Sequence, residues 1–198
     1  MAETKGIMIV GVGGQGTLLA SRILGNVLMA AGFDVKVSEV HGMSQRGGSV
    51  VTYVRYGDRV YSPVIDKGEA DCILAFERLE AARWLPWLRE GGRIIVNDQR
   101  ISPMPVITGA MAYPEDIIAK LRARGADVTA VDALALAEEA GNARSVNVVL
   151  IGLLSRMMED IPDELWQRAL EAEVKPKFLD INRQAFRLGR RASRHAAV

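Results

Sequence analysis

The stretch GIMIVGVGGQGTLLASRILGNVLMAAG, residues 6–32, constrains the fold more than any other part of the chain. Its short apolar run stops at a cluster of glycines, which reads as a buried strand entering a tight turn. From Thr17 the apolar residues recur at helical spacing, and Gly32 stands where a helix would stop. DVKVSEV then alternates as a second strand. A strand, a helix and a strand within about 35 residues form a βαβ unit, and such units build parallel sheets.

The rest of the chain extends that pattern. GSVVTYVRYGDRVYSP alternates and carries Gly57-Asp58 as a turn signal, so a β-hairpin is expected there, closing at Val60-Tyr61. ADCILAF and RIIVND read as further buried strands. Between them ERLEAARWLPWLREGG reads as a helix, broken at Pro86 and ended by the paired glycines, with Trp84 and Trp87 as core. SPMPVITGAMAYPED is a Pro-rich excursion, either a docking loop or simply a long one. The helix DIIAKLRARG, the strand ADVTAVDA and the helix LALAEEAG follow. From Ala143 onward there is no strand signal, and three helices are expected. Leu153, Leu154, Met157, Trp166 and Phe178 are the expected core of that part. The expected fold class is thus α/β: a Rossmann-like, mostly parallel sheet flanked by helices, with a β-hairpin insertion and a C-terminal helical segment. Residues 1–142 form the Rossmann-like domain, and the helices of 143–198 pack on that same domain.

Gly11, Gly13 and Gly16 satisfy G-x-G-x-x-G, with Gly14 and Gln15 between them. A turn of this kind aims backbone N–H groups and the positive end of a helix dipole at an anion. Glu39 ends the second strand, roughly where a dinucleotide enzyme keeps its ribose-binding acid. NAD or flavin binding is therefore one reading. The other is that the glycines only allow close helix–strand packing. Three features weigh against a dinucleotide. Glu39 runs directly into a loop instead of a helix, a hairpin interrupts the winding, and Gln15 adds a side-chain amide to the turn.

That loop is the second candidate. HGMSQRGG, residues 41–48, gathers an imidazole, a hydroxyl, an amide and a guanidinium, and Gly42, Gly47 and Gly48 free its backbone. In an open parallel sheet it leaves the same edge as the glycine turn, so the two are expected to share a crevice. No nucleophile–base–orienter set is present by sequence, so no catalytic residue is assigned. Asp98, Asp132 and Glu77 follow strand ends and read as helix caps.

Composition narrows the partners. The net charge is +1, which favours neither nucleic acid nor an anionic membrane surface. The basic run RLGRRASRHAAV reads as a solvated helix end. The single cysteine, Cys72, sits in an apolar run and reads as a buried small hydrophobe. Alone it can build neither a zinc site nor an iron–sulfur cluster, so no metal is assigned to the chain. No run of 18 apolar residues occurs, and the first residues lack the apolar core of a signal peptide, so a cytoplasmic location is expected.

GVGGQGTLLASRILG followed by SEVHGMSQRGGSV closely resembles the gamma-type domain of the 2-oxoacid:ferredoxin oxidoreductases. The form EVHGMSQRGG is most similar to the indolepyruvate branch, in its beta subunit; the pyruvate and 2-oxoglutarate branches typically carry a shorter E-x-R-G-G. RSVNVVLIGLL and INRQAFRLG resemble that family's helical end. The resemblance implies an enzyme subunit that is inactive alone. The larger partner subunit would carry thiamine diphosphate, Mg and 4Fe-4S clusters and pass electrons to ferredoxin. The complex would decarboxylate an aryl pyruvate oxidatively and transfer the acyl group to coenzyme A. Gly11, Gly13, Gly14, Gln15 and Gly16 match the first family motif. Glu39, His41, Gly42, Gln45, Arg46, Gly47 and Gly48 match the second. Carried over, the glycine turn and Arg46 are expected to contact coenzyme A. Glu39, His41, Gly42, Gln45, Gly47 and Gly48 are expected to face the active site or the partner. A freestanding dinucleotide-binding protein, a gamma subunit for pyruvate or 2-oxoglutarate, and a scaffold that stabilises the large subunit without touching a ligand are the alternatives; a homodimer is an open option for the isolated chain.

Overall fold

The computed structural model of the chain describes residues 4–40 and 47–192. Its strands are β1 (Lys5–Val12), β2 (Asp34–Glu39), β3 (Ser49–Gly57), β4 (Ala70–Ala75), β5 (Leu88–Asn97) and β6 (Asp127–Val131). They form one sheet in the order β2-β3-β1-β4-β5-β6. The ladders β1–β4, β4–β5 and β5–β6 are parallel. β3 runs antiparallel to both of its neighbours, β1 and β2. β1 and β2 therefore point the same way, as a βαβ unit requires, but β3 is inserted between them.

That insertion relocates the expected hairpin. The antiparallel pair is β2 with β3, joined across residues 40–48, and not a pair closed at Gly57-Asp58. Val60 and Tyr61 form no strand, because the Val60 N–H donates to the Asp34 carboxylate at 2.8 Å. Tyr61 points outward, 82% exposed, under the Arg59 guanidinium at 5.0 Å.

The helices are α1 (Thr17–Ala30), α2 (Arg78–Trp84), α3 (Met104–Ile107), α4 (Ile117–Ala123), α5 (Ala133–Glu139), α6 (Val146–Ser155), α7 (Asp163–Glu173) and α8 (Leu179–Ala192). α1 stops as its sequence indicates. Gly32, at φ 91°, lets its own N–H reach Met29 O and the Phe33 N–H reach Leu28 O. Alternate strand residues point to opposite faces, so the sheet has two cores. Ile7, Ile9, Val54, Cys72, Leu74 and Ile95 pack beneath α1, α5, α6, α7 and α8. Met8, Val10, Val51, Ile73, Ile94 and Val96 pack beneath the much thinner cover of α2 and α4. Cys72 is buried in the first core, and burial pushes its thiol up to about 12.

α6 is the hub of the helical layer: every residue from Asn147 to Ser155 is buried. It crosses α8 at two glycines. A Cβ on Gly152 would collide with the Phe186 carbonyl, and one on Gly189 with the Val149 carbonyl. Leu153, Leu154 and Trp166 are buried as expected, and Met157 is partly so. Phe178 is not core. It lies in the 3-10 turn Pro176–Phe178, 38% exposed, with the Lys177 ammonium over its ring. The glycine pair Gly91-Gly92 does not end a helix either. α2 stops at Trp84, Pro86 turns the chain, and both glycines lie within β5 at a register shift against β4. Gly92 is needed there, since a Cβ would stand 3.0 Å from Ala70 O. The Trp84 and Trp87 rings meet at 4.7 Å with their planes tilted by 59°, and both are partly buried against the second core.

Candidate functional site

The glycine turn joins β1 to α1 at the carboxyl edge of the sheet. Gln15 closes it from within. Its Oε1 accepts from the Val12 N–H at 2.7 Å, and its own N–H donates to Val12 O at 3.2 Å. Its Nε2 donates to Phe76 O at 3.0 Å and to Gln99 Oε1 at 3.4 Å. Asn97, fully buried, donates to the same two acceptors, and its Oδ1 receives the Ala133 N–H at 3.0 Å. A network of amides thus ties the ends of β1, β4 and β5 to the start of α5. Gly11 faces this network: a Cβ would stand 2.9 Å from both Gln15 Oε1 and Phe76 Cβ. Gly16, at φ 83°, sits against Asn147, whose Nδ2 donates to Gly16 O at 3.2 Å. Gly14 is different. It has φ 101°, and no atom of the described residues would lie within 4 Å of a Cβ there.

The second glycine stretch meets the first. The Gly13 N–H donates to Gly48 O at 2.8 Å, and the Gly47 N–H donates to Gly13 O at 3.2 Å. Gly13, Gly14, Gly16, Thr17 and Leu18 on one side, and Val40, Val50 and Thr52 on the other, enclose a cavity of about 290 Å³. His41, Gly42, Gln45 and Arg46 lie outside the described residues.

The donors of the turn divide into two groups. Those of Gly13 and Gln15 are engaged inside the fold. The first bond of α1 runs from the Ala20 N–H to Gly16 O, so the N–H groups of Thr17, Leu18 and Leu19 have no partner within the helix. They stand at the positive end of the helix, those of Thr17 and Leu18 belonging to residues that line the cavity, where an anionic group is favoured.

Glu39 does not stand where a ribose-binding acid would. With β3 inserted, β2 is two strand spacings from β1, roughly 10 Å instead of 5 Å. The Glu39 carboxylate is held against α1, accepting from Ser21 Oγ at 3.1 Å.

Two acids on α2 carry more than a sequence reading assigns to them. Glu77 caps the helix, accepting from the Glu80 N–H at 3.0 Å, yet it is only 1% exposed. Its other oxygen receives the Ile101 N–H at 3.1 Å and the Tyr113 hydroxyl. That bond, together with burial, pushes the Tyr113 phenol above its ordinary range, burial being the larger cause. Glu80 is 4% exposed and receives the Ser49 hydroxyl. The signal for these roles is the partner, 31 residues away for Ser49 and 36 for Tyr113, so no local pattern exposes it. Asp132 is an ordinary cap, accepting from the Ala135 N–H at 2.9 Å, whereas Asp98 pairs with Arg78 at 2.5 Å.

Known proteins share both this sequence and this fold. Residues 6–192 match the family described as pyruvate ferredoxin/flavodoxin oxidoreductase. The indolepyruvate oxidoreductase subunit IorB of Thermococcus kodakarensis is 44% identical over 192 residues, with 95% of each chain covered. The IorB of Pyrococcus horikoshii is likewise 44% identical over 95% of each chain. The keto/oxoacid ferredoxin oxidoreductase gamma subunit of Geobacter sulfurreducens has the same fold, with a TM-score of 0.71 at 22% identity over 96% of this chain and 99% of that one. A 2-oxoglutarate:ferredoxin oxidoreductase of Magnetococcus marinus, solved with 2-oxoglutarate, coenzyme A and succinyl-CoA, superposes with a TM-score of 0.74 at 18% identity, matching 98% of this chain and 31% of that longer one. A match that runs nearly end to end, on a fold with the same proportions, leaves one assignment: the chain belongs to the pyruvate ferredoxin/flavodoxin oxidoreductase family.

Proposed function

We propose that the chain is the gamma-type subunit of an indolepyruvate:ferredoxin oxidoreductase, inactive alone and completed by a larger cytoplasmic partner. The observation that carries this reading is the 44% identity to two IorB subunits over 95% of the chain. The single cysteine supports the division of labour, because a 4Fe-4S cluster takes four thiolates. Bound on the partner, thiamine diphosphate supplies the decarboxylation chemistry and the clusters carry the electrons to ferredoxin.

What this chain contributes is a wall of the site. The N–H groups at the start of α1 and Gly14 form an anion-binding rim suited to a phosphate of coenzyme A. Arg46, seven residues beyond Glu39, supplies a guanidinium for a phosphate or carboxylate. His41 and Gln45 face the partner's cofactor or the substrate. Gln15 acts through the shape of the turn. The displacement of Glu39 by β3 speaks against a freestanding NAD or flavin protein, since the acid and the glycine turn are a strand too far apart.

The test is co-expression with the large subunit and an anaerobic assay of coenzyme A-dependent viologen reduction by indolepyruvate. Activity should require both chains, and Arg46→Ala should raise the KM for coenzyme A or for the 2-oxoacid. Binding of NAD or a flavin by the chain alone, with no complex formed, would sink the proposal.

A further inference from the structure

Ser49 is the first residue of β3 and follows Gly47 and Gly48 directly. Those two glycines hold Gly13 from both sides of its peptide, through the Gly13 N–H to Gly48 O and the Gly47 N–H to Gly13 O. Ser49, opposite Val12 in the β1–β3 ladder, is thus joined directly to the two residues that grip Gly13. The Ser49 hydroxyl donates to Glu80 Oε2, while Arg83 Nε donates to Glu80 Oε1 at 3.1 Å. Glu80 is 4% exposed, and a carboxylate is rarely buried this deeply unless its oxygens are satisfied. Its helix is itself held down, because Glu77 takes the Glu80 N–H, the Ile101 N–H and the Tyr113 hydroxyl. Glu80 is thus a rigid acceptor reaching across the sheet edge from α2 to the start of β3. α2 lies on the face opposite α1, so the contact braces the cleft from behind without lining it.

We infer that Glu80 is a positioning residue for the cleft. Through Ser49 it holds Gly47 and Gly48 against Gly13, and so sets the spacing between the N–H groups at the start of α1 and the facing strand β3. The effect on ligand rests on the reading of this cleft as a coenzyme A phosphate site. The brace itself does not.

The experiment uses the co-purified complex with Ser49→Ala, Glu80→Gln and the hydroxyl-retaining Ser49→Thr. Hydrogen exchange is followed by mass spectrometry over segments 11–17 and 47–51, beside steady-state kinetics. Ser49→Ala should speed exchange at Gly13 and Gly47 about tenfold, the effect of one lost hydrogen bond to a charged acceptor, while β5 exchanges as before. The KM for coenzyme A should rise by a similar factor with kcat little changed, and Ser49→Thr should restore both. Unchanged exchange at Gly13 in Ser49→Ala overturns the inference. So does a uniform rise that includes β5, which would make the contact ordinary fold stabilisation. Faster exchange at Gly13 with an unchanged KM upholds the brace and refutes the coenzyme A reading of the cleft.

Discussion

Gln15 lies in the middle of the glycine motif, and its side chain points into the protein. Replacing it with alanine tests whether the motif's amide serves the fold or a ligand. Gln15→Ala removes the acceptor for the Val12 N–H at 2.7 Å and one of the two donors to Phe76 O. Phe76 O keeps Asn97 Nδ2 at 3.2 Å, so its loss is partial. The Val12 N–H loses its partner, at about 1–3 kcal/mol for a donor left unsatisfied away from water. Adding a fraction of a further hydrogen bond gives about 2 kcal/mol. For a chain of 198 residues that corresponds to a fall in Tm of about 4–8 °C. Urea unfolding of wild type and variant should show a lower midpoint at unchanged slope. Gln15→Glu should be worse than alanine, because a carboxylate oxygen would replace the amide donor facing Phe76 O and Gln99 Oε1. A Gln15→Ala protein of full stability but weakened coenzyme A affinity would refute the reasoning and make Gln15 a ligand contact.

Three further outcomes follow from the geometry. Gly189→Ala should destabilise the fold by about 2 kcal/mol in urea titration, although alanine gains about 1 kcal/mol of helix propensity, because the Val149 carbonyl it meets is backbone. Gly14→Ala should cost only the roughly 1–2 kcal/mol of a left-handed residue, whereas Gly16→Ala should cost more, since its Cβ would lie 2.7 Å from Asn147 Nδ2; thermal melts of the pair measure the difference. Burial, and then the charge of Asp71, raise the Tyr56 phenol above its ordinary value, so the folded state keeps the proton longer than the unfolded one. Its stabilisation is therefore complete below about pH 10 and declines as the pH rises beyond it, and Tyr56→Phe should flatten stability measured over that alkaline range.

Much of this architecture was legible along the chain, and the parts that were not share a cause. The strand–turn–helix of residues 6–32 could be read because every signal in it is local: apolar spacing, glycine position and the stop at Gly32. The three C-terminal helices were equally plain, with Pro162 preceding α7 and Pro176 opening the turn before α8. Strand order is not local. Nothing between Ser49 and Gly57 says that this strand enters between β1 and β2, and the Gly57-Asp58 turn signal was real although no partner strand followed it. There Asp34, 26 residues earlier, takes the N–H that a ladder would have used. Phe178 was misread because hydrophobicity alone does not say which side of a 3-10 turn is covered. In the cleft, the two glycine stretches meet as expected but by another route: the antiparallel β1–β3 ladder sets Val12 opposite Ser49, whereas the expectation rests on adjacent parallel strands. The inward turn of Gln15 and the burial of Glu77 and Glu80 needed the positions of Phe76, Gln99, Tyr113 and Ser49, which only the folded chain brings near.

The crossing of α6 and α8 bears on the order in which the chain can assemble. α6 is apolar around most of its circumference and is covered on one side by α8, whose first residue lies 24 positions beyond the last of α6. During synthesis the sheet strands and α1 are complete long before that cover exists. A nascent chain ending between the two helices presents an uncovered hydrophobic rod, the kind of surface that chaperones hold and that aggregates in their absence. Completion of this core therefore waits on the docking of α8. Until α8 docks through its two glycine contacts, one of them at Val149, Asn147 two residues earlier on α6 has no settled layer behind it from which to hold Gly16.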